Sequence, residues 1–256
     1  MLNSIKVIAL NTYKESIRDR ILLVLLVFSV LLFGASLFLG SISLDQDSKI
    51  IIDMGFFGIF FFGVIITIFL GSNSVIKEIE QKTAYPVLAR PINRSWYIVG
   101  KFFGVTITLF VLTLLMSMIF LTLVGFRIGW NNIDLALILA LFYTFLEFCV
   151  LTALMLLFSS FSSAIMSTIY GIAFFLIGHS TPTIVSLIKS APKYIRSIFL
   201  GIYYLFPNFE KFNLRNDAAF HIKPYPGEVI FTIAYAIIYC FILLFLANLA
   251  FKKQEL

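Results

Sequence analysis

The sequence predicts an all-α membrane protein with six transmembrane helices, and three observations carry that reading. Of its 256 residues 61% are hydrophobic and only 12% charged, whereas soluble domains carry roughly 25% charged residues. Its thirty phenylalanines exceed what a soluble core of this size could hide. Six stretches are apolar and long enough to cross a hydrocarbon layer, which takes about 20 helical residues.

The first element, residues 1–19, is an amphipathic helix. Leu2, Ile5, Ala9, Thr12 and Ser16 share one helical row, with Ile8, Tyr13 and Ile17 close by, while Lys6, Lys14 and Arg18 lie towards the other side. Such a helix suits the membrane surface, and a plain basic flank of the first span fits the pattern equally well. The spans are expected at about 20–41, 53–74, 98–126, 133–158, 162–180 and 228–251. The first follows the amphipathic residues and reads as a retained span, not a cleaved leader. The third is longer than a bilayer requires, so tilt or projection is expected. The whole chain, 1–256, reads as one membrane domain.

Basic residues set the orientation. With the N-terminus in the cytoplasm, the inner segments hold Lys6, Lys14, Arg18, Arg20, Lys77, Lys82, Arg90, Arg94, Lys101, Lys252 and Lys253, and the short outer loops only Lys49 and Arg127. The long outer segment 181–227 holds the other six, so the bias is strong in the first half of the chain and not near its end. Early spans dominate the positive-inside bias, so both termini are expected inside the cytoplasmic (inner) membrane. This clustering also explains the net charge of +6 without a nucleic-acid partner. Membrane lipid is the surrounding partner.

Two polar segments interrupt the apolar pattern. Residues 75–96, extended through Lys101, carry the densest charge and turn chemistry. Pro86 and Pro91 break any continuous helix there, so short pieces separated by bends are expected. A short surface helix with Arg90 and Arg94 facing the cytoplasm would suit a protein partner, and a basic loop that fixes topology fits the composition as well. Residues 181–227 are expected outside. Pro192 could open a helix with Ile195, Ile198, Phe199, Ile202 and Leu205 along one stripe, ended by Pro207. Re-entrant or interfacial helices are therefore expected, followed by an ordered loop from Asn208 to Gly227 whose aromatics argue against a disordered linker.

The chemistry-bearing inventory is thin. His179 and His221 have no paired His or Cys at ligand spacing and read as polar residues near an interface. Cys149 and Cys240 lie in apolar runs and read as small core residues, neither disulfide nor metal site. No G-x-x-x-x-G-K-[ST] phosphate loop occurs, so the chain is not expected to be an enzyme or to hydrolyse ATP alone. Glu147 stands near the middle of the fourth span, where a carboxylate costs on the order of 3 kcal/mol. It could line a path, hold helices together by a hydrogen bond, or be purely structural. An intramembrane enzyme built on it would need partners that the sequence does not identify. Asp53 reads as an ordinary boundary residue.

The cluster Glu78-x-Glu80-x-x-Thr83, then Leu88-Ala89-Arg90-Pro91-Ile92-x-Arg94 and Tyr97-x-x-Gly100-Lys101, resembles the first cytoplasmic loop of ABC exporter permeases of the second type. The branch it most resembles is that of multicopper-enzyme maturation, which includes the permease for nitrous-oxide reductase assembly. Ser159-Ser160-Phe161-Ser162-Ser163, Gly178-His179 and Phe206-Pro207-Asn208-Phe209-x-x-Phe212-Asn213 extend the likeness over most of the chain. Lys82 departs from it, since glycine is frequent there in the family.

The resemblance implies a six-span permease that forms a homodimer, or a heterodimer with a related permease, on two separate ABC ATPase subunits. The 1–19 helix would be the connecting helix, 75–96 would contain the cytoplasmic coupling helix, and 181–227 would hold the external re-entrant helices. The ATPase-coupling residues would be Glu78, Glu80, Thr83, Leu88, Arg90, Pro91, Arg94, Gly100 and Lys101. No cofactor is expected on this chain, since ATP and Mg would be bound by the ATPase. Alternating access, with export or lipid extrusion, is the implied mechanism. The alternative is an ATPase-coupled anchor or mechanical transmitter that acts on an extracytoplasmic partner through 181–227 and moves no substrate.

Overall fold

Apolar stretches of this length fold as helices because a backbone in hydrocarbon must satisfy its own donors and acceptors. A computed structural model gives the architecture. It describes residues 2–19, 47–80, 94–190, 206–220 and 224–252, with scattered positions within 23–35 and 192–203 and at 222. Among the described residues the regular elements are helices: α1 (Leu2–Ile17), α2 (Asp47–Glu80), α3 (Arg94–Arg127), α4 (Leu135–Ser159), α5 (Ala164–His179), α6 (Thr181–Ser190), the short α7 (Arg215–Ala219) and α8 (Pro226–Lys252). Single 3-10 turns occupy Trp130–Asn132 and Phe209–Phe212.

Four of these helices contain segments long and apolar enough to cross a membrane: Lys49–Ile76, Ser95–Arg127, Leu135–Ser159 and Pro226–Lys252. They answer to the expected spans 53–74, 98–126, 133–158 and 228–251. Helices α5 and α6 meet at a bend of 56° and make a fifth crossing if they form one broken span. This pair takes the place of the expected straight span 162–180. The expected first span, 20–41, falls mostly outside the described residues, as does the helix expected after Pro192.

Helices α2 and α3 have 34 residues each. That is about 51 Å of helix against a hydrocarbon core of about 30 Å, so each has turns to spare beyond its apolar stretch. They run antiparallel. Near the start of α2, the ring of Phe56 lies 5.2 Å from that of Phe120, late in α3. At the other end Tyr97 of α3 stacks on Phe251 of α8 at 5.5 Å. Helix α4 is the hub, packing against α2, α3, α5 and α8, with Phe148, Val150, Leu151, Ala153 and Leu156 fully enclosed. Several buried hydroxyls are satisfied within their own helices, as where Thr67 donates to the Gly63 carbonyl at 2.7 Å and Thr152 to that of Phe148 at 2.7 Å. The outward faces stay apolar: Phe103, Phe110 and Met118 on α3, and Phe231, Ile238, Phe241 and Phe245 on α8, are exposed. Lipid is the solvent such faces require.

Helix α1 packs along the first turns of α3. The row expected from the sequence is the one that turns inward, since Ile8, Ala9, Thr12 and Ser16 are buried while Lys6, Lys14 and Arg18 are exposed. Gly100 and Gly104 permit this approach. A Cβ at Gly100 would press on Ile8, and one at Gly104 on Thr12 and the Ala9 carbonyl.

Candidate functional site

The polar residue that the sequence singles out, Glu147, is fully buried in the middle of α4. It lies twelve residues beyond Leu135, about 18 Å along the helix axis. Its Oε1 is 2.6 Å from Nε2 of His179. Four helices therefore do not enclose an isolated carboxylate: a buried acid is tolerated here because a specific partner meets it.

A local break brings His179 there. Residue 182 is proline, which has no N–H to give to the carbonyl of Gly178, four residues back. Thr181 fills the vacancy, its hydroxyl donating to the Gly178 oxygen at 2.6 Å. Ser180 closes α5, its N–H bonding the carbonyls of Leu176 and Ile177. The chain bends, and His179 becomes the last residue of α5, pointing across to α4. Beside it, a Cβ at Gly178 would collide with the Phe209 ring and the Pro207 carbonyl. Only a glycine lets segment 206–215 come this close.

That segment completes the site. Phe209 and Phe212 are buried in the helical core. They act as anchors that draw the intervening Glu210 inward, where its Oε2 lies 3.4 Å from Nδ1 of His179. The amide of Asn213 donates to the other Glu210 oxygen at 2.9 Å. Tyr235 of α8 holds the same segment from another side: its hydroxyl accepts from the Asn208 N–H at 2.7 Å, and Lys211 Nζ lies 4.3 Å from its ring centre. The imidazole is walled by aromatic rings, with Phe175 at 4.6 Å, Phe60 edge-on at 5.5 Å and Phe209 stacked at 5.8 Å. Phe60 also carries the Arg215 guanidinium at 3.4 Å from its centre. Burial pulls that guanidinium below its usual basicity, and the carboxylates of Glu147 and Glu210 oppose the shift. It remains a cation.

Two clefts flank the segment. One, of about 280 Å³, has Tyr143, Lys211, Leu214, Glu228 and Thr232 in its walls. The other, of about 500 Å³, has Asp53, Phe56, Phe57, Asn213 and Arg215 in its walls. Asp53 thus lies inside α2 and faces a cleft with Arg215, which is more than the boundary role expected of it. On α4, one turn apart, the Tyr143 hydroxyl and Glu147 Oε2 are buried without a hydrogen-bond partner among the described residues. Hydrogen bonds thus link Glu147, His179, Glu210 and Asn213 in series, with the Arg215 charge close enough to act on both carboxylates.

His179 is the residue that sequence reasoning underrated, as a polar residue near an interface. Its partners lie 32 and 31 residues away, a separation that no spacing rule detects. The one usable signal was the Gly-His-Ser-Thr-Pro break at the end of an apolar run, opposite a mid-span acid. Two carboxylates sit on opposite ring nitrogens and do not converge on one point. Among the described residues no cluster of His, Cys, Asp and Glu is arranged to hold a metal ion. Cys149 and Cys240 are free thiols within α4 and α8.

Those of the expected coupling residues that are described fall at the other ends of α2 and α3. Glu78 and Glu80 belong to the last turn of α2 and Arg94 opens α3. Thr83, Leu88, Arg90 and Pro91 lie outside the described residues, as does the surface helix expected there. Gly100 is buried in the α1–α3 contact, and Lys101 is only 1% exposed, its Nζ 5.8 Å from the ring centre of Tyr97, which stacks on Phe251 of α8.

Compared with known protein families, residues 7–256 match the model of the family described as ABC-2 family transporter protein. No curated protein matches the chain at a significant level.

Proposed function

The chain belongs to the family of ABC-2 transporter proteins, membrane permeases of ABC transporters, and from that premise we propose that it is the permease subunit of an ATP-driven exporter worked by separate ATPase subunits. The observation that carries this reading is the extent of the match, 7–256, which takes in α1, the charged segment 77–101 and all the described spanning helices. The family implies an ABC ATPase as partner in general and is a membrane component without catalysis of its own. ATP and Mg are accordingly assigned to the partner, and no cofactor to this chain.

The motif order supports the finer assignment. Residues 75–96, with Glu78, Glu80, Thr83, Leu88, Arg90, Pro91 and Arg94, are proposed as the coupling segment, backed by Gly100 and Lys101. Helices α2 and α3 support this because both have turns in excess of the bilayer and residues 81–93 join them. A push on 81–93 would act along two stiff rods. One of them, α2, reaches the polar site through Phe60. The same motifs favour the multicopper-enzyme-maturation branch, a permease dimer and alternating access. The distribution of Lys and Arg, with Lys6, Lys14 and Arg18 exposed on α1, favours cytoplasmic termini in the inner membrane.

The test is copurification from membranes with an ABC ATPase. Wild-type chain is expected to retain the ATPase, and the double substitution Glu78→Ala with Arg90→Ala to release it while still inserting. Retention undiminished in the double variant would sink the docking assignment. A transmitter acting on an external protein is separated by transport: coupled hydrolysis in vesicles with no cargo moved would favour that reading over export.

A further inference from the structure

We propose that Glu147, His179 and Glu210 form a proton-binding site, and that one bound proton fastens segment 206–215 into the bundle. The reasoning begins with hydrogen-bond stoichiometry. An ionised carboxylate only accepts, and a neutral imidazole has one N–H and one bare nitrogen. In this site both ring nitrogens face carboxylate oxygens, Nε2 on Glu147 at 2.6 Å and Nδ1 on Glu210 at 3.4 Å. Two acceptors on two ring nitrogens require two hydrogens between them. The second proton sits on the ring, or on a carboxyl that donates to it. In either microstate the closed cluster holds one proton more than two carboxylates and a neutral imidazole do, and the proton belongs to the group as a whole.

Charge points the same way. The groups facing His179 are Glu147 from α4 and Glu210 and Arg215 from the segment, while α2 and α5 offer the rings of Phe60 and Phe175. Asp53 of α2 stands one step further out, in the cleft wall with Arg215. With the proton bound, Glu147, His179, Glu210 and Arg215 sum to zero charge. Without it they carry one net negative charge in a site walled by Phe60, Phe175 and Phe209, and one carboxylate oxygen loses its donor. Burying that imbalance is costly.

The loss is borne by the segment. Glu147 is fully enclosed, whereas the Glu210 side chain is 36% exposed and His179 is 20% exposed. A proton released from the ring passes to water by way of Glu210, and the Glu210 contact is the longer of the two. Deprotonation therefore loosens Glu210, and with it the turn Phe209–Phe212 that lies against Gly178. Both clefts border this segment, through Lys211 and Leu214 on one side and Asn213 and Arg215 on the other, so its docking controls access to both.

The experiment uses the full chain in lipid nanodiscs with ¹⁵N-labelled histidine. His221→Gln leaves His179 as the single histidine. Its ring-nitrogen shifts are followed against pH, beside amide exchange of 206–215 corrected for intrinsic rates. Exchange is expected to quicken about tenfold over the same pH interval in which His179 loses its proton. A flat corrected rate through that interval overturns the proposal. In His179→Gln the step should vanish, and a step that persists there overturns it too. If that variant does not fold, Glu210→Gln serves, because its amide can donate to a neutral ring: His179 still titrates and the step in 206–215 disappears. An unchanged step in Glu210→Gln contradicts the proposal. Neither result depends on what the permease carries.

Discussion

Glu147 shows what a single residue costs and what answers it. The carboxylate sits in mid-helix, and its charge is balanced by an imidazole that a proline-induced bend delivers from another helix. Removing one partner of a buried pair leaves the other uncompensated, which is far more damaging than replacing both. Glu147→Ala is thus expected to lower stability by about 3 kcal/mol, read from denaturant or thermal unfolding in mild detergent. Glu147→Gln keeps an acceptor for His179 and should cost nearer about 1 kcal/mol. Equal, negligible losses in both would show that the pair carries no structural weight. The carboxylate was legible in the sequence because a charge amid apolar residues is conspicuous. Its partner was not, since His179 ends an apolar run, where histidines are unremarkable, and only the fold sets it beside Glu147 and Glu210.

Among elements, the long helices were readable from apolar runs, and their ends were not. Helix α2 starts at Asp47 and continues to Glu80, beyond the expected 53–74, because helical hydrogen bonds continue through polar residues once the apolar stretch has set the helix. The α5–α6 bend was missed for a related reason: hydropathy is blind to the direction of an axis, and Pro182 alone does not say whether a run stops or turns. The amphipathic α1 was legible in its faces, and its partner was not. Ile8 fits against Gly100 of α3, and Ala9 and Thr12 against Gly104, and only the fold brings residues 9 and 104 together. Gly104→Val is expected to undock α1 through overpacking worth about 2 kcal/mol. The readout is amide exchange of residues 2–17, which should quicken while α4 stays protected. An α1 as protected as in wild type would show that the close approach is dispensable.

On the scale of the whole molecule the 34 residues each of α2 and α3 join two ends of different character. One end holds α1, the last turn of α2, the start of α3 and the end of α8, where Tyr97 stacks on Phe251. Towards the other lies the polar cluster under segment 206–215. Membership of the ABC-2 transporter family gives the chain a partner in general, an ABC ATPase; under the proposed docking at the first end, stiff helices would give its movements a route to the second. The measurement that bears most directly on this account is the ATP hydrolysis rate of the ATPase co-assembled with the full-length permease in lipid vesicles. The account predicts hydrolysis well above that of the ATPase alone, falling by about tenfold in Glu78→Ala with Arg90→Ala, a rise of about 1.4 kcal/mol in the activation barrier. A rate that is the same with wild-type permease, with the double variant and with no permease would contradict it.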